Sequence, residues 1–204
     1  MKEKQRAYDR IKGEFEKYLQ RIYGVERIPV FGEGNLAASI VLVGEAPGEQ
    51  ETLKQRPFVG SAGKNLDKFL QVLELPREAI YITNVVKFRP YKINPKSGRT
   101  VNRPPTREEI LLCKSFLQQE LDLVRPQVVV TLGNVALKAL CADPKMTIGQ
   151  CHGRPLAVPG AVYRLFPLYH PASVIYNRQL MATYEQDLVA LKLYMERPAA
   201  FPTT

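Results

Sequence analysis

The sequence has few of the residues that stabilise small secreted proteins. Its 204 residues include no tryptophan, three cysteines and two histidines. The absence of a Cys-x-x-Cys pair argues against a disulfide framework and favours a reducing cytoplasm. The longest apolar runs fall far short of the ~20 residues that span a bilayer, and the N-terminus lacks the apolar region of a secretory signal. We therefore expect a cytoplasmic globular protein that does not enter a membrane, and nothing in the sequence indicates more than a monomer.

Acidic residues are scarce relative to basic ones. The chain has 29 Lys and Arg against 20 Asp and Glu, which gives a net charge of +9 and a pI near 9.5. A surplus of this size favours a polyanionic partner such as nucleic acid, although a simple solubility surplus would look the same. The length fits one domain, which we expect over residues 1–197, with a frayed tail at 198–204.

Predicted strands and helices alternate along the chain. Apolar, β-branched runs predict buried strands at 39–43, 79–86, 127–132 and 163–169, the last at a sheet edge. Helical patterns occur at 3–23, 62–73, 106–124, 134–141 and 183–197. Thr106 and Glu109 form a capping-box pattern at the start of the third helix. The alternation predicts an α/β fold, a three-layer α/β/α arrangement with a central, mostly parallel four-stranded sheet. In such sheets the functional site lies at the carboxyl ends of the strands.

The loop after the first strand is rich in glycine and acidic residues. Gly44 and Gly48 allow sharp turns and the close approach of a ligand, while Glu45 and Glu51 supply carboxylates. A solvated acidic loop is the alternative interpretation. A phosphate-binding loop is excluded, because the glycines at 60–65 lack the required spacer and the Ser or Thr after Lys.

Single polar side chains follow two later strands. Asn84 offers a donor and an acceptor side by side, which complements the edge of uracil, although a turn-capping asparagine is equally compatible. His170 is followed by Pro-Ala-Ser173. A lone histidine usually has a structural role, but the position of His170 at a strand end favours a functional one.

The segment 87–107 contains seven cations and no carboxylate. Charge of one sign beside a candidate pocket predicts a track for the phosphate backbone of a nucleic acid. A disordered loop or a protein-docking surface would account for the same pattern. The seven cations are Lys87, Arg89, Lys92, Lys96, Arg99, Arg103 and Arg107.

Four stretches in this order resemble the uracil-DNA glycosylase superfamily, and most closely family four, first known from thermophiles. The resemblance covers residues 40–193, and the four motifs together are highly specific. The stretches are Gly44-Glu-Ala-Pro-Gly48, Arg56-Pro-Phe-Val-Gly-Ser-Ala-Gly63, Tyr81-Ile-Thr-Asn-Val-Val-Lys87 and His170-Pro-Ala-Ser173.

The resemblance implies that a uracil or another deaminated base is flipped out of DNA and its N-glycosidic bond is cut. Phe58 would stack on the base, Asn84 would read its edge, and His170 would stabilise the departing uracilate. Glu45, assisted by Glu51, would position water. The loop positions Gly44, Ala46 and Gly48 would contact the base, and Ser173 and Arg178 would join the basic segment in contacting DNA.

Two loop positions differ from the superfamily's first family. An aspartate handles water there at the position of Ala46, so that role shifts to Glu45 in this chain. A tyrosine that excludes thymine there is replaced by Gly48, which predicts a wider substrate range.

The resemblance also implies a [4Fe–4S] cluster on four cysteines, but only Cys113 matches a ligand position. No cysteine precedes it, and Phe88 stands at the position of the third ligand. Because four thiolates are needed, we predict that the cluster is absent. Phe15, Leu19 and Phe88 would then fill its space as an apolar plug.

The connection at 91–101 is longer than in family four. A covalent-trapping branch of the superfamily carries a histidine in its insertion here, whereas this one has none, which favours ordinary turnover. The main alternative function is a DNA-binding protein of the same fold with weak or lost glycosylase activity. A flavodoxin-like nucleotide binder is disfavoured by the acidic first loop.

Overall fold

The computed structural model describes residues 2–24, 27–143, 145–175 and 178–197, so the predicted tail at 198–204 lies outside the described part. The single-domain division at 1–197 stays a prediction. The helices are α1 (Lys2–Tyr23), α2 (Glu49–Lys54), α3 (Ser61–Val72), a 3-10 turn (Arg77–Ala79), α4 (Arg107–Val124), α5 (Asn134–Leu140), α6 (Ile148–Cys151), α7 (Pro171–Ile175) and α8 (Arg178–Glu196). The strands are β1 (Glu33–Gly34), β2 (Ile40–Gly44), β3 (Tyr81–Asn84), β4 (Tyr91–Ile93), β5 (Thr100–Asn102), β6 (Val128–Leu132), β7 (Leu156–Ala157) and β8 (Arg164–Leu168).

The central sheet of the described residues has six strands in the order β1-β3-β2-β6-β8-β7. Strands β3, β2, β6 and β8 are parallel, and they are the four strands that the sequence predicts. The prediction of four strands is nevertheless wrong, because β1 and β7 add short antiparallel edges of two residues each. The expected edge position of the strand at 163–169 is also wrong, since β7 pairs with its outer side.

Helices cover both faces of the sheet, as the α/β/α prediction requires. Consecutive residues of β2 point to opposite faces: Val41 packs with α1 and α4 residues such as Phe15 and Leu117. Leu42 packs with α3 and α8 residues such as Phe69. The central strands β2 and β6 are therefore buried throughout, which explains their largely apolar sequences, in which Thr131 of β6 is the polar exception.

The predicted capping box at the start of α4 is confirmed. The Glu109 backbone N–H donates to Thr106 Oγ1 at 3.2 Å, and the Thr106 N–H donates to Glu109 Oε2 at 2.8 Å. These bonds satisfy two backbone donors that a helix start leaves unpaired. They also fix the point at which the basic segment joins α4.

The insertion at 91–101 forms most of a small antiparallel hairpin. Strand β4 pairs with β5 in a register that places Tyr91 opposite Asn102 and Ile93 opposite Thr100. The alternative of a disordered loop is therefore wrong.

Among the described residues, no helix has the length and apolar character needed to cross a bilayer.

Candidate active site

A cavity of about 810 Å³ lies at the carboxyl ends of the parallel strands. It is lined by residues that follow β2, β3, β6 and β8, so the expectation that these strand ends meet is confirmed. The predicted residues on its wall are Glu45, Ala46, Gly48, Glu51, Phe58, Asn84, Arg103, His170 and Ser173.

Asn84 and Phe58 converge on the backbone of Gly44. Asn84 is the last residue of β3 and is 3% exposed, and the Phe58 ring is likewise buried. A Cβ at Gly44 would lie 2.4 Å from Asn84 Oδ1 and 2.4 Å from Phe58 Cζ. Only glycine therefore lets the amide and the ring approach the end of β2.

Glu51 holds the loop that carries Phe58. Its Oε1 accepts hydrogen bonds from the N–H groups of Val59 at 2.9 Å and Gly60 at 2.6 Å, and its Oε2 accepts one from Gly48 at 3.1 Å. Phe58 itself has φ of +52°, a strained conformation for a non-glycine residue. Because both carboxylate oxygens are engaged by backbone, Glu51 is placed to fix this loop.

His170 lies opposite Phe58, with ring centroids 6.3 Å apart and planes inclined by 28°. The Ala172 backbone N–H donates to His170 Nδ1 at 3.2 Å. A neutral imidazole that accepts at Nδ1 carries its hydrogen on Nε2. Burial lowers the pKa of His170, which favours this neutral form.

Glu45 supplies a carboxylate on the same cavity wall. Burial raises the pKa of Glu45, because the charged form loses hydration. Its backbone carbonyl accepts from the Val86 N–H at 3.0 Å, which joins the first loop to the chain after Asn84. The residue is thus held next to the end of β3.

Three cations of the basic segment are occupied within the protein. Lys87 is 1% exposed and forms an ion pair with Glu120, so the prediction that it contacts DNA is wrong. Arg103 forms two hydrogen bonds of 2.7 Å with Glu109. Arg89 donates to Glu49 and to the Asn102 side chain, which anchors the hairpin beside α2.

The other cations are available to a ligand. The side chains of Lys92, Lys96, Arg99 and Arg107 are exposed, as is that of Ser173. The side chain of Arg178 lies outside the described part of the structure.

The cavity also contains residues that the sequence did not indicate. Tyr169, Asn102 and Leu180 line it. The position of Tyr169 directly before His170, at the end of a predicted strand, was a usable signal. Asn102 and Leu180 carried none, because they reach the cavity from the hairpin and from α8.

Comparison with known proteins identifies the family. Residues 31–191 match the sequence model of the Uracil DNA glycosylase superfamily. The chain belongs to this superfamily.

It is 42% identical to the type-4 uracil-DNA glycosylase of Archaeoglobus fulgidus, with 76% of each chain covered. The type-4 uracil-DNA glycosylase of Thermotoga maritima is 37% identical, with 82% of this chain and 83% of the relative covered. The type-4 enzyme of Saccharolobus solfataricus is 35% identical over 84% of this chain and 78% of its own. The resemblance to the superfamily's family four is thereby confirmed.

The residues at the expected iron–sulfur position of the glycosylase family do not fit a cluster. Phe88 is fully buried where a cysteine ligand is expected, and it shares a core with Phe15 and Leu19. Cys113 is the only cysteine that matches a ligand position, and a [4Fe–4S] cluster needs four thiolates. Among the described residues, no group of three or more His, Cys, Asp or Glu could hold a metal ion.

Proposed function

We propose that this protein is a DNA repair glycosylase that flips uracil out of DNA and hydrolyses its N-glycosidic bond, leaving an abasic site. The observation that carries the proposal is the convergence of Asn84, Phe58, His170 and Glu45 on one cavity. The type-4 uracil-DNA glycosylases that the chain resembles support the same activity.

Base recognition falls to Phe58 and Asn84. The Phe58 ring stacks on the flipped base, and the Asn84 amide pairs with uracil O4 and N3–H through its donor and acceptor. The buried position of Asn84 excludes water that would compete for these bonds. Gly48, in place of a bulkier side chain on the cavity wall, leaves room for other deaminated bases.

His170 stabilises the leaving group. As the bond between C1′ and N1 breaks, its electron pair passes to uracil, and negative charge develops on O2. The Nε2–H of neutral His170 donates to this oxygen, and its donation strengthens as the charge grows. The Ala172 N–H keeps the imidazole in the required tautomer.

Glu45 directs the attacking water. Its carboxylate accepts a hydrogen bond from the water that attacks C1′ and then takes the water's proton, while the uracil anion departs. Glu51 is a positioning residue, since its oxygens are bonded to Gly48, Val59 and Gly60. The sequence predicts that Glu51 assists Glu45 directly in catalysis, and the positioning role replaces that prediction.

The direct test is excision of uracil from a single-site oligonucleotide, followed by alkali and separation of the strands. Strand cleavage that depends on uracil, and is missing with thymine in its place, supports the glycosylase. Intact strands, together with retained DNA binding, would instead favour a binding protein with lost chemistry.

Replacing Gly44 with alanine is expected to reduce uracil excision about 10²-fold, because the new methyl group displaces Asn84 and Phe58. Single-turnover excision at saturating DNA measures this effect. Gly13→Ala is the matched control, since a Cβ there meets nothing within 4 Å. Full activity of Gly44→Ala would contradict the convergence of base-binding groups on this glycine.

The exposed hairpin cations bind DNA phosphates. Changing Lys92, Lys96 and Arg99 together to glutamine is expected to flatten the log-log dependence of affinity on salt by up to about 3 units, one per lost phosphate contact. Single-turnover excision at saturating DNA should change little. Binding titrations over a range of salt concentrations measure the slope.

A control for this variant removes equal charge from α1, whose Arg6, Arg10 and Lys17 are exposed outside the cavity lining. Its salt slope should equal that of the parent. An unchanged slope in the hairpin variant would mean that these cations do not contact DNA phosphates.

The protein carries no iron–sulfur cluster, and the apolar packing of Phe15, Leu19 and Phe88 supports this proposal. Protein purified under anaerobic conditions should contain well under one iron per chain and lack visible absorbance. About four irons per chain would show that ligands lie elsewhere. The monomeric state and cytoplasmic location expected from the sequence stay predictions.

A further inference from the structure

A buried charge pair lies directly beneath the base-reading end of β3. The Lys87 ammonium donates to Glu120 Oε2, to Thr83 Oγ1 at 2.6 Å and to the backbone carbonyl of Asn84 at 2.7 Å. Thr83 Oγ1 in turn donates to Glu120 Oε2 at 2.9 Å. Lys87, Glu120 and Thr83 are each at most 1% exposed. All three ammonium donors are thus used, and one of them holds the residue assigned to base recognition.

Stability alone is a weak reason for such a pair. Moving two charges out of water opposes their mutual attraction, and apolar replacements of buried pairs are often neutral or stabilising. The strands around this pair already bury a continuous apolar core. The role of the pair is therefore to be sought in the groups that it orients, among them the Asn84 carbonyl.

The segment that carries Lys87 also connects the end of β3 to the loop that follows β2. The Val85 N–H donates to the carbonyl of Gly44 at 2.9 Å, and the Val86 N–H donates to that of Glu45 at 3.0 Å. A shift of the chain after Asn84 would consequently move the first loop as well. Glu120, on α4, ties this segment to a helix in the layer on one face of the sheet.

We propose that Lys87 and Glu120 are a positioning pair that fixes the Asn84 carbonyl and so sets the direction in which the Asn84 amide meets the base. The inference rests on the proposed function, in which Asn84 reads the edge of uracil. Neither residue touches the base. Their effect passes through the backbone of Asn84.

The deciding variant is Lys87→Met with Glu120→Gln. Lys87→Met alone leaves an unpaired buried carboxylate and is expected to unfold readily. The double variant removes both charges, and the glutamine oxygen can still accept from Thr83. Its thermal midpoint should therefore return close to that of the parent, while the carbonyl of Asn84 loses its donor.

Three measurements separate positioning from general structural damage. In the double variant, single-turnover uracil excision should fall about 10²-fold. Inhibition by free uracil should weaken about tenfold, since the amide meets the base in a poorer direction. Affinity for DNA with a tetrahydrofuran abasic analogue should stay within about twofold, because phosphate contacts are untouched.

Lys192→Met with Glu74→Gln is the matched control. In this pair Glu74 is exposed and Lys192 is half-buried, with 2.7 Å between their charged atoms. The pair lies outside the cavity lining, and all values should equal those of the parent. Two outcomes overturn the proposal: a double variant with parental excision and uracil inhibition, or one in which the thermal midpoint, uracil inhibition and abasic-DNA affinity decline together.

The activity of the parent protein distinguishes failure of the proposed function from failure of the positioning role. A parent that does not excise uracil refutes the proposed function and, with it, the positioning of a base reader. An active parent combined with an unaffected double variant refutes only the positioning role.

Discussion

His170→Ala is expected to lower the single-turnover rate of uracil excision by about 10²–10³-fold while leaving affinity for uracil-containing DNA nearly unchanged. The hydrogen bond from Nε2 to uracil O2 strengthens only as the glycosidic bond breaks. Its loss therefore raises the barrier more than it weakens the ground-state complex. Rapid-quench excision and equilibrium binding, performed on the same oligonucleotide, measure the two quantities.

The hydrogen bond that Ala172 donates to Nδ1 also links the protonation of His170 to the stability of the protein. Burial lowers the pKa of His170 in the folded protein, so the imidazole stays neutral to lower pH than an exposed histidine does. Protonation at Nδ1 would break the bond to Ala172. The contribution of His170 to stability is therefore present above its unfolded pKa and is lost as pH falls through the lowered folded value.

His170→Gln serves as the comparison variant, because an amide can donate a hydrogen bond without titrating. It should recover part of the rate that alanine loses. A histidine-to-alanine variant that loses affinity and keeps its single-turnover rate would show that His170 binds the base rather than stabilising its departure.

The central sheet and the location of the site could be predicted from the sequence for a simple physical reason. Parallel strands buried on both faces appear as continuous apolar runs. Strand β2 is such a run up to Gly44, and β6 is one except for Thr131. Polar residues at or just after the carboxyl ends of the parallel strands, including Asn84 of β3 and His170 after β8, must then lie at the same end of the sheet. The edge strands β1 and β7 escaped prediction because two residues show no periodicity.

Pairings between distant residues could not be predicted in this way. Lys87 belongs to a basic segment in the sequence, yet its charge is buried against Glu120, which lies 33 residues away. Glu51 looked like a catalytic carboxylate, but its partners are backbone N–H groups that have no sequence signature. In both cases the residue type indicated the charge correctly and gave no information about its partner.

The carboxylate of Glu45 directs the attacking water in the proposed mechanism. Glu45→Gln is expected to reduce single-turnover excision about 10²–10⁴-fold, because the amide cannot take a proton from the attacking water. Affinity for uracil-containing DNA should stay close to that of the parent. A variant with full excision would mean that another group handles the water.

The pH dependence of the parent follows from the same carboxylate. Burial raises the pKa of Glu45, so its active, charged form appears at higher pH than for an exposed glutamate. Excision should rise with pH through this raised pKa, and His170→Gln should keep that limb because Glu45 is intact. Glu45→Gln should lose it.

The effect of Glu45 on stability has the opposite sign to its effect on activity. A carboxyl whose pKa is raised on folding contributes stability below its unfolded pKa, and this contribution disappears as pH rises through the folded pKa. At neutral pH the half-buried charge therefore opposes folding. Glu45→Gln should have a thermal midpoint at neutral pH equal to or above that of the parent, with the difference disappearing under acidic conditions. Loss of excision together with a retained or raised midpoint would assign Glu45 to catalysis, since a residue needed only for the fold would lower both.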